Sequence, residues 1–208
     1  MENNFFRYWK PRHLAGVIVI IGTIVSYILA WIVPILTNNF NFSYIQFPTT
    51  SAIVYLILTL INKYWWKYFP FRYFFWVPDM SGRYEGFIKY QFNGRDEEKL
   101  CSVEVIQNGL RTKVNSYFQQ SNGSEKSLSR SLVETIVCEE DGNYSVALTY
   151  RNHGITGKFP EHCGTNILKF IKNSDGSFLK GDYYTNRQPQ TKGTMEVKLV
   201  SNQLKNDY

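Results

Sequence analysis

Hydrophobic and polar positions follow two different patterns along the chain. From Leu14 to Asn62 there is no Asp, Glu, Lys, Arg or His, and residues 14–33 form a nearly unbroken apolar run. A helix of roughly 20 apolar residues is long enough to cross about 30 Å of hydrocarbon. The pattern therefore predicts a transmembrane helix over about residues 14–36, which Pro34 ends or kinks. A cleaved signal peptide is the alternative, although its apolar core would run for only about 7–15 residues.

A second and shorter apolar run follows a polar, uncharged loop. Pro48 suits the first turn of a helix, and the solidly apolar part covers residues 49–61. Trp and Tyr residues follow this run, and both types favour the membrane–water interface. We predict a second span over about residues 45–62. A buried core helix is the alternative, because the apolar part is short.

After Pro78 the pattern changes to short alternating segments separated by turn residues. Asn-Gly and Asp-Gly pairs mark several of the turns, since both tolerate the positive φ of a type I′ hairpin. The predicted strands cover residues 82–92, 100–107, 110–119, 127–139, 144–152, 164–172, 178–186 and 191–200. Eight sequential antiparallel strands form an up-and-down barrel, the smallest closed sheet that can hold one ligand. A two-sheet sandwich is the alternative.

Charge refines this division of the chain. The formal net charge is +6, but residues 1–78 hold six basic residues and one acidic residue, against 17 and 16 in residues 79–208. Basic residues flank the outer ends of the two predicted spans, so both chain ends are expected in the cytoplasm. We therefore predict a cytoplasmic segment at 1–13, a transmembrane hairpin with an aromatic linker at 14–78, and a cytoplasmic barrel at 79–208. The nearly neutral barrel does not suggest a DNA or RNA partner.

Small residues form a stripe on the first predicted span. Gly22, Ser26 and Ala30 are spaced four apart and share one helix face. Small residues at this spacing let helices approach closely in lipid, which predicts self-association of the spans. Packing of the stripe against the second span of the same chain is the alternative.

The order of the strands predicts which side chains meet at one end of the barrel. The inward positions are apolar with several tyrosines, which fits either a packed core or a ligand pocket. At the end away from the membrane, the candidate ligand-binding residues are Tyr90, Tyr117, Tyr150, Arg151, Tyr183, Thr185 and Arg187. Arginine pairs bidentately with phosphate and aromatic rings stack on bases, so this set suits an anionic nucleotide. Solvated surface arginines are the alternative.

The sequence contains no pattern typical of an enzyme. His153, His162 and Cys163 lack a zinc spacing and a fourth ligand. No nucleophile elbow, P-loop or dinucleotide fingerprint occurs. We therefore expect no catalytic residue, no metal and no cofactor.

Local sequences and architecture together resemble a known family. The sequences are W-V-P-D-M-S-G-R-Y-E-G-F at residues 76–87, G-D-Y-Y-T-N-R at 181–187 and K-G-T-M-E-V-K-L at 192–199. With two spans and a barrel, the chain resembles the two-transmembrane, β-strand-rich effectors of CBASS anti-phage defence. Those effectors accompany nucleotidyltransferases that make cyclic nucleotides.

The resemblance implies a function. It implies that the barrel binds a cyclic dinucleotide, and that the protein then forms a homo-oligomer in the bacterial inner membrane. Disruption of the lipid bilayer would kill the infected cell. The candidate binding residues given above come from strand geometry and not from the family. The alternative function is a membrane-tethered, lipocalin-like barrel that binds an apolar ligand or docks a partner protein.

Overall fold

The computed structural model describes residues 4–40, 48–92, 94–119, 126–154 and 161–206. The chain separates into two compact units. The helical unit comprises Met1–Trp76 with Asn108–Arg111, and the barrel unit comprises Val77–Gln107 with Thr112–Tyr208.

Two α-helices dominate the helical unit. Helix α1 covers Pro11–Phe40 and helix α2 covers Thr50–Leu60. The side-chain oxygen of Thr49 caps α2, because it accepts a hydrogen bond from the Ala52 amide at 3.3 Å. After α2 come a π-helical segment, Ile61–Trp65, and a short 3₁₀ helix, Phe71–Phe74.

Helix α1 has the properties of a membrane-crossing helix. Its segment Pro11–Thr37 has a mean hydropathy of 2.5 and is the one helix in the described part of the chain that is long and apolar enough to cross a membrane. Tyr27 and Trp31 on α1 are 78% and 69% exposed. A core helix would bury such side chains, so α1 is suited to contact with lipid. The helix continues through Pro34 to Phe40, so this proline does not end it.

The second predicted span is only partly described. Residues 45–47, at its start, lie outside the described residues. Helix α2 has 11 residues, which is shorter than the roughly 17–25 that a transmembrane helix needs. A second span over residues 45–62 therefore stays a prediction.

Asn62 joins three segments within the helical unit. The Trp9 indole donates a hydrogen bond to Asn62 Oδ1 at 2.8 Å, and the Asn62 amide donates to the Phe5 carbonyl at 3.3 Å. The Gly109 amide donates to the Asn62 carbonyl at 2.7 Å. A Cβ at Gly109 would lie 2.8 Å from Phe75 and from Asn62 Oδ1, so only glycine fits this close approach.

The barrel unit is a closed, eight-stranded antiparallel sheet in the order β1 to β8. The strands are β1 Gly82–Phe92, β2 Arg95–Gln107, β3 Thr112–Gln119, β4 Lys126–Cys138, β5 Tyr144–Gly154, β6 His162–Asn173, β7 Gly176–Thr185 and β8 Lys192–Ser201. Strand β1 pairs with both β2 and β8, which closes the sheet. The predicted up-and-down barrel is confirmed and the sandwich alternative is wrong.

Strand β2 begins five residues earlier than the sequence predicts. The charged run from Arg95 to Lys99 was expected in a loop but continues the ladder with β1 as far as Phe92. A charged strand is stable here because Asp96 and Glu98 are exposed, and Glu98 lies 3.7 Å from Lys89 on β1. The first connection is therefore a short turn in which Gly94 has a φ of 74°.

An ionic cluster lies on the outward face of β1 and β2, where it is nevertheless buried. Arg83 and Glu104 are opposite each other on β1 and β2, and their side chains are 1% and 0% exposed. Glu104 accepts hydrogen bonds from Arg83 Nη1 at 3.1 Å and from the Tyr117 hydroxyl at 3.1 Å. The backbone amides of Lys205 and Asn206 donate to the same carboxylate at 2.7 and 3.1 Å. The segment after β8 is thus held against β2.

The hydrogen bonds of this cluster determine the protonation of Glu104. Burial opposes ionisation, but the Lys205 and Asn206 amides and the Arg83 guanidinium outweigh it and lower the pKa of the Glu104 carboxyl. A lowered pKa in the folded state stabilises the fold above the unfolded pKa of about 4.3, and this stabilisation is lost as the pH falls through the folded value.

We predict that Glu104→Ala destabilises the barrel by about 3 kcal/mol or more. The substitution removes the buried counter-ion of Arg83, which keeps only the partly exposed Glu85 at 2.7 Å, and it leaves two backbone amides without an acceptor. The measurement is denaturant-induced unfolding of the full chain in detergent, followed by far-ultraviolet circular dichroism.

The matched control is Glu196→Ala, which removes an exposed ion pair with Lys180 at 2.8 Å and should cost less than about 1 kcal/mol. Lowering the pH below the unfolded pKa of glutamate should reduce the stability of the wild type more than that of Glu104→Gln. Equal losses of unfolding free energy in Glu104→Ala and Glu196→Ala would contradict the structural role of the cluster.

Candidate ligand-binding site

A pocket opens inside one end of the barrel. Its walls are the ends of β1, β3, β5 and β7, the beginnings of β2, β4 and β6, and the connection between β7 and β8, and its volume is about 70 Å³. Five of the predicted ligand-binding residues line it, namely Tyr90, Tyr150, Tyr183, Thr185 and Arg187. The strand order therefore brings together side chains that are far apart in the sequence.

Two tyrosines form the floor of the pocket, and each faces a glycine across the sheet. Tyr150 pairs with Gly164 and Tyr183 pairs with Gly193, and the two tyrosines are 5% and 4% exposed. A Cβ at Gly164 would overlap the ring of Tyr150, and a Cβ at Gly193 would lie 2.8 Å from the ring of Tyr183. Glycine at these positions lets each ring lie against the backbone of the neighbouring strand.

Both floor hydroxyls stay protonated at neutral pH. Burial raises the pKa of Tyr150 and of Tyr183, and the positive charge of Arg187 opposes the rise only in part. The hydroxyls therefore remain hydrogen-bond donors.

A threonine pair holds Arg187 at the rim of the pocket. Arg187 Nε donates to Thr191 Oγ1 at 3.2 Å, and Thr191 Oγ1 lies 2.9 Å from Thr185 Oγ1. The Thr191 amide donates to Thr185 Oγ1 at 3.1 Å, and the Thr185 amide donates to the Thr191 carbonyl at 3.0 Å. These bonds fix both ends of the β7–β8 connection, so the guanidinium is positioned before any ligand arrives.

The remaining lining is polar and cationic. Lys99 Nζ lies 5.7 Å from the centre of the Tyr90 ring. The Asn152 amide donates to Ser129 Oγ at 2.8 Å and to Ser127 Oγ at 3.3 Å. None of the lining residues in the described ranges is acidic. A lining with Lys99 and Arg187 and without a carboxylate favours an anionic ligand.

Two predicted binding residues lie outside the pocket. Successive side chains of a strand point to opposite faces, so Tyr117 and Arg151 point outward where their neighbours Phe118 and Tyr150 point inward. The Tyr117 hydroxyl donates to Glu104 on the outer surface. Arg151 is 51% exposed and lies 3.0 Å from Glu161.

The structure adds several lining residues that the sequence analysis missed. They are Ile88, Lys99, Phe118, Ser127, Asn152, His162 and Thr191. Lys99 was missed because it was assigned to a loop. Strict alternation within each strand is the signal that would have found Asn152 and Phe118, because both share a face with known inward residues.

The stripe of small residues on α1 is exposed within the helical unit. Ser26 and Ala30 are exposed, and a Cβ at Gly22 would have no heavy atom within 4 Å. Among the described side chains of α1, Val17 and Val25 are the buried ones. The stripe is therefore open to another helix, and its self-association stays a prediction.

One buried polar atom inside the barrel has no partner. Asn166 is 2% exposed, and its Oδ1 accepts no hydrogen bond from any residue in the part of the chain that the structure describes. It lies on the inward face of β6, opposite Leu148 and Tyr183. An unpaired buried acceptor costs about 1–3 kcal/mol.

The fold and the pocket define a barrel-type ligand receptor. Residues 75–199 match the family described as Cap15, cyclic dinucleotide receptor domain. The match covers more than half of the chain and almost all of the barrel, and the chain belongs to this family. No curated protein matches the chain. The family assignment supports the resemblance to CBASS effectors, and it makes the barrel a sensing domain and not a catalytic one.

We predict that Gly164→Ala destabilises the barrel by about 1–3 kcal/mol. The new methyl group would overlap the Tyr150 ring and lie 2.6 Å from the Tyr184 carbonyl oxygen, so both the floor and the strand must shift. The measurement is denaturant-induced unfolding of the full chain in detergent. The control is Gly16→Ala on α1, where no heavy atom lies within 4 Å of the new Cβ. A Gly164→Ala protein as stable as this control would contradict the packing of the floor.

Proposed function

We propose that the protein is a membrane-anchored effector that binds a cyclic dinucleotide at the open end of its barrel, oligomerises and disrupts the bacterial inner membrane. The observation that carries the proposal is the cationic, tyrosine-floored pocket within a cyclic dinucleotide receptor domain. The ligand would come from a cyclic-nucleotide-producing nucleotidyltransferase, and death of the infected cell would be the outcome in anti-phage defence.

The chemistry of the pocket suits the two parts of such a ligand. Arg187 presents a planar fork of donors that matches a phosphate, and Lys99 adds a second positive charge. Tyr90 offers a ring on which a base can stack. An apolar ligand, as in a lipocalin-like barrel, would place no negative charge opposite these two cations.

The size of the pocket determines how the ligand would be placed. A volume of about 70 Å³ is well below the roughly 300–1,000 Å³ of a site that encloses a small ligand. The pocket therefore accepts one edge of the ligand, and the rest would lie across the rim near Arg187. Deeper entry requires the floor to move.

Ligand binding must favour the membrane-active state. A ligand shifts an equilibrium only between states that it binds with different affinity. We propose that the ligated barrel favours an assembled state and that two spans, α1 and a second span over residues 45–62, associate in the membrane. The stripe at Gly22, Ser26 and Ala30 would form the contact between protomers.

We predict that Arg187→Ala weakens cyclic dinucleotide binding by roughly 10–100-fold, because it removes a charge-assisted hydrogen bond to phosphate. Arg187→Lys should have an intermediate affinity, since the charge remains and the fork is lost. The measurement is isothermal titration of the full chain in detergent against a panel of cyclic dinucleotides.

Two further arginine variants test whether the effect is specific to Arg187. Arg111→Ala, at an exposed position that does not line the pocket, is the matched control and should bind normally. Arg151→Ala separates two hypotheses, because the sequence pattern predicts a loss and the outward position of Arg151 predicts none. A wild-type chain that bound no member of the panel would refute the proposed receptor function. Unchanged binding by Arg187→Ala would remove that residue from the site.

We predict that Gly22→Ile and Ser26→Ile abolish ligand-dependent dye release from lipid vesicles that contain the full chain. A branched side chain on this face prevents close approach of two helices. Ligand affinity should stay at the wild-type value, because both substitutions lie in α1. Trp31→Ile, at a position that is 69% exposed and about 140° round the same helix from Ser26, is the control and should release dye normally. Normal release by the Gly22 and Ser26 variants would show that the stripe is not the contact.

A further inference from the structure

The side-chain amide of Asn166 is buried in the barrel, and its oxygen accepts no hydrogen bond from the residues that the structure describes. The residue is 2% exposed, and within the described ranges no donor reaches its Oδ1. Buried polar atoms are almost always paired in folded proteins. An acceptor held in this state is therefore suited to a donor that enters the barrel from outside.

The register of the strands places Asn166 directly beneath the pocket. Gly164 precedes it by two positions on the inward face of β6, on the side of the open end, and the Tyr150 ring lies against Gly164. Tyr183, the other floor residue, is the partner of Asn166 on β7. Asn166 thus lies level with Tyr183 and one inward position below Tyr150.

Tyr150 is held less firmly than other buried tyrosines of this barrel. Tyr84 donates to the Met80 carbonyl at 2.9 Å, and Tyr117 donates to Glu104 at 3.1 Å. The Tyr150 hydroxyl makes no hydrogen bond to a residue that the structure describes. Its ring is kept in place by packing alone, so it can turn away from Gly164 without breaking a hydrogen bond.

We propose that Asn166 is a specificity-determining residue that accepts a hydrogen bond from the exocyclic amino group of one ligand base when Tyr150 turns away from Gly164. The inference rests on the proposed function. The amino groups of adenine, guanine and cytosine project from the edge of the base, whereas uracil carries an oxygen at the corresponding position. A projecting amino group is also the part of a base that a pocket of about 70 Å³ can admit.

The same movement distinguishes two states of the receptor. With Tyr150 against Gly164, the Asn166 oxygen is unpaired and the floor is closed. With Tyr150 turned away, the base edge pairs with Asn166 and the floor is open. The ligand therefore binds the open state more tightly, which is the difference in affinity that a ligand-driven switch requires.

The test compares the wild type with two variants, and for each protein it compares two ligands. Dissociation constants are measured by isothermal titration for the full-length wild type, Asn166→Leu and the matched surface control Asn202→Leu, all in detergent. A panel of cyclic dinucleotides that contain adenine, guanine, cytosine and uracil is titrated first. The first test ligand is the member that binds the wild type most tightly. The second is its analogue, in which hydrogen replaces the exocyclic amino group. Asn166→Ala serves as a second variant if Asn166→Leu does not fold, with folding checked by thermal unfolding.

We expect the wild type and Asn202→Leu to bind the amino-bearing ligand at least tenfold more tightly than its analogue. Asn166→Leu should lose this preference, and its unfolding temperature without ligand should be no lower than that of the wild type. The inference is overturned if Asn166→Leu keeps the preference, if the wild type shows none, or if the tightest ligand contains only uracil. Absence of wild-type binding to the whole panel would instead refute the proposed function itself.

Discussion

The interior of an eight-stranded barrel is just wide enough for side chains to fill, and this constraint governs both its core and its pocket. Bulky residues such as Tyr84, Leu168 and Met195 are almost completely buried, so most of the interior is closed. Space for a ligand arises only where inward positions carry small or polar residues. Gly164 and Gly193 meet this condition at the open end, where they let two tyrosines lie flat beneath a pocket.

Periodicity explains which parts of this arrangement the sequence predicts. Eight strands and their order follow from alternating segments and Asn-Gly or Asp-Gly turns, and the inward tyrosines follow from the same alternation. Tyr117 and Arg151 were grouped with the pocket by their place along a strand and not by their face. Lys99 was missed because a run of charges resembles a loop, although an exposed hairpin tolerates it. Whether the Asn166 oxygen has a hydrogen-bond donor depends on which residues pack around it in three dimensions. No local sequence pattern predicts this.

Charge has different roles in the two units. In the first 78 residues the excess of basic residues flanks apolar segments, and from this pattern we predict the orientation of the chain in a membrane. In the barrel the totals nearly balance, so recognition of an anion depends on where single charges lie. Arg187 is fixed by Thr185 and Thr191 at the pocket, whereas Arg83, deeply buried, neutralises Glu104 on the outer surface. The net charge of the barrel alone does not predict that these two arginines have different roles.

The hydrogen bonds between Glu104 and the segment after β8 also limit where the domain can be truncated. The family match ends at residue 199, before the amides of Lys205 and Asn206 that bind this carboxylate. A fragment trimmed at that boundary would retain every strand residue that faces the pocket and still expose a buried ion pair to water. Preparations of the isolated barrel for crystallisation or screening therefore need to extend through Asn206.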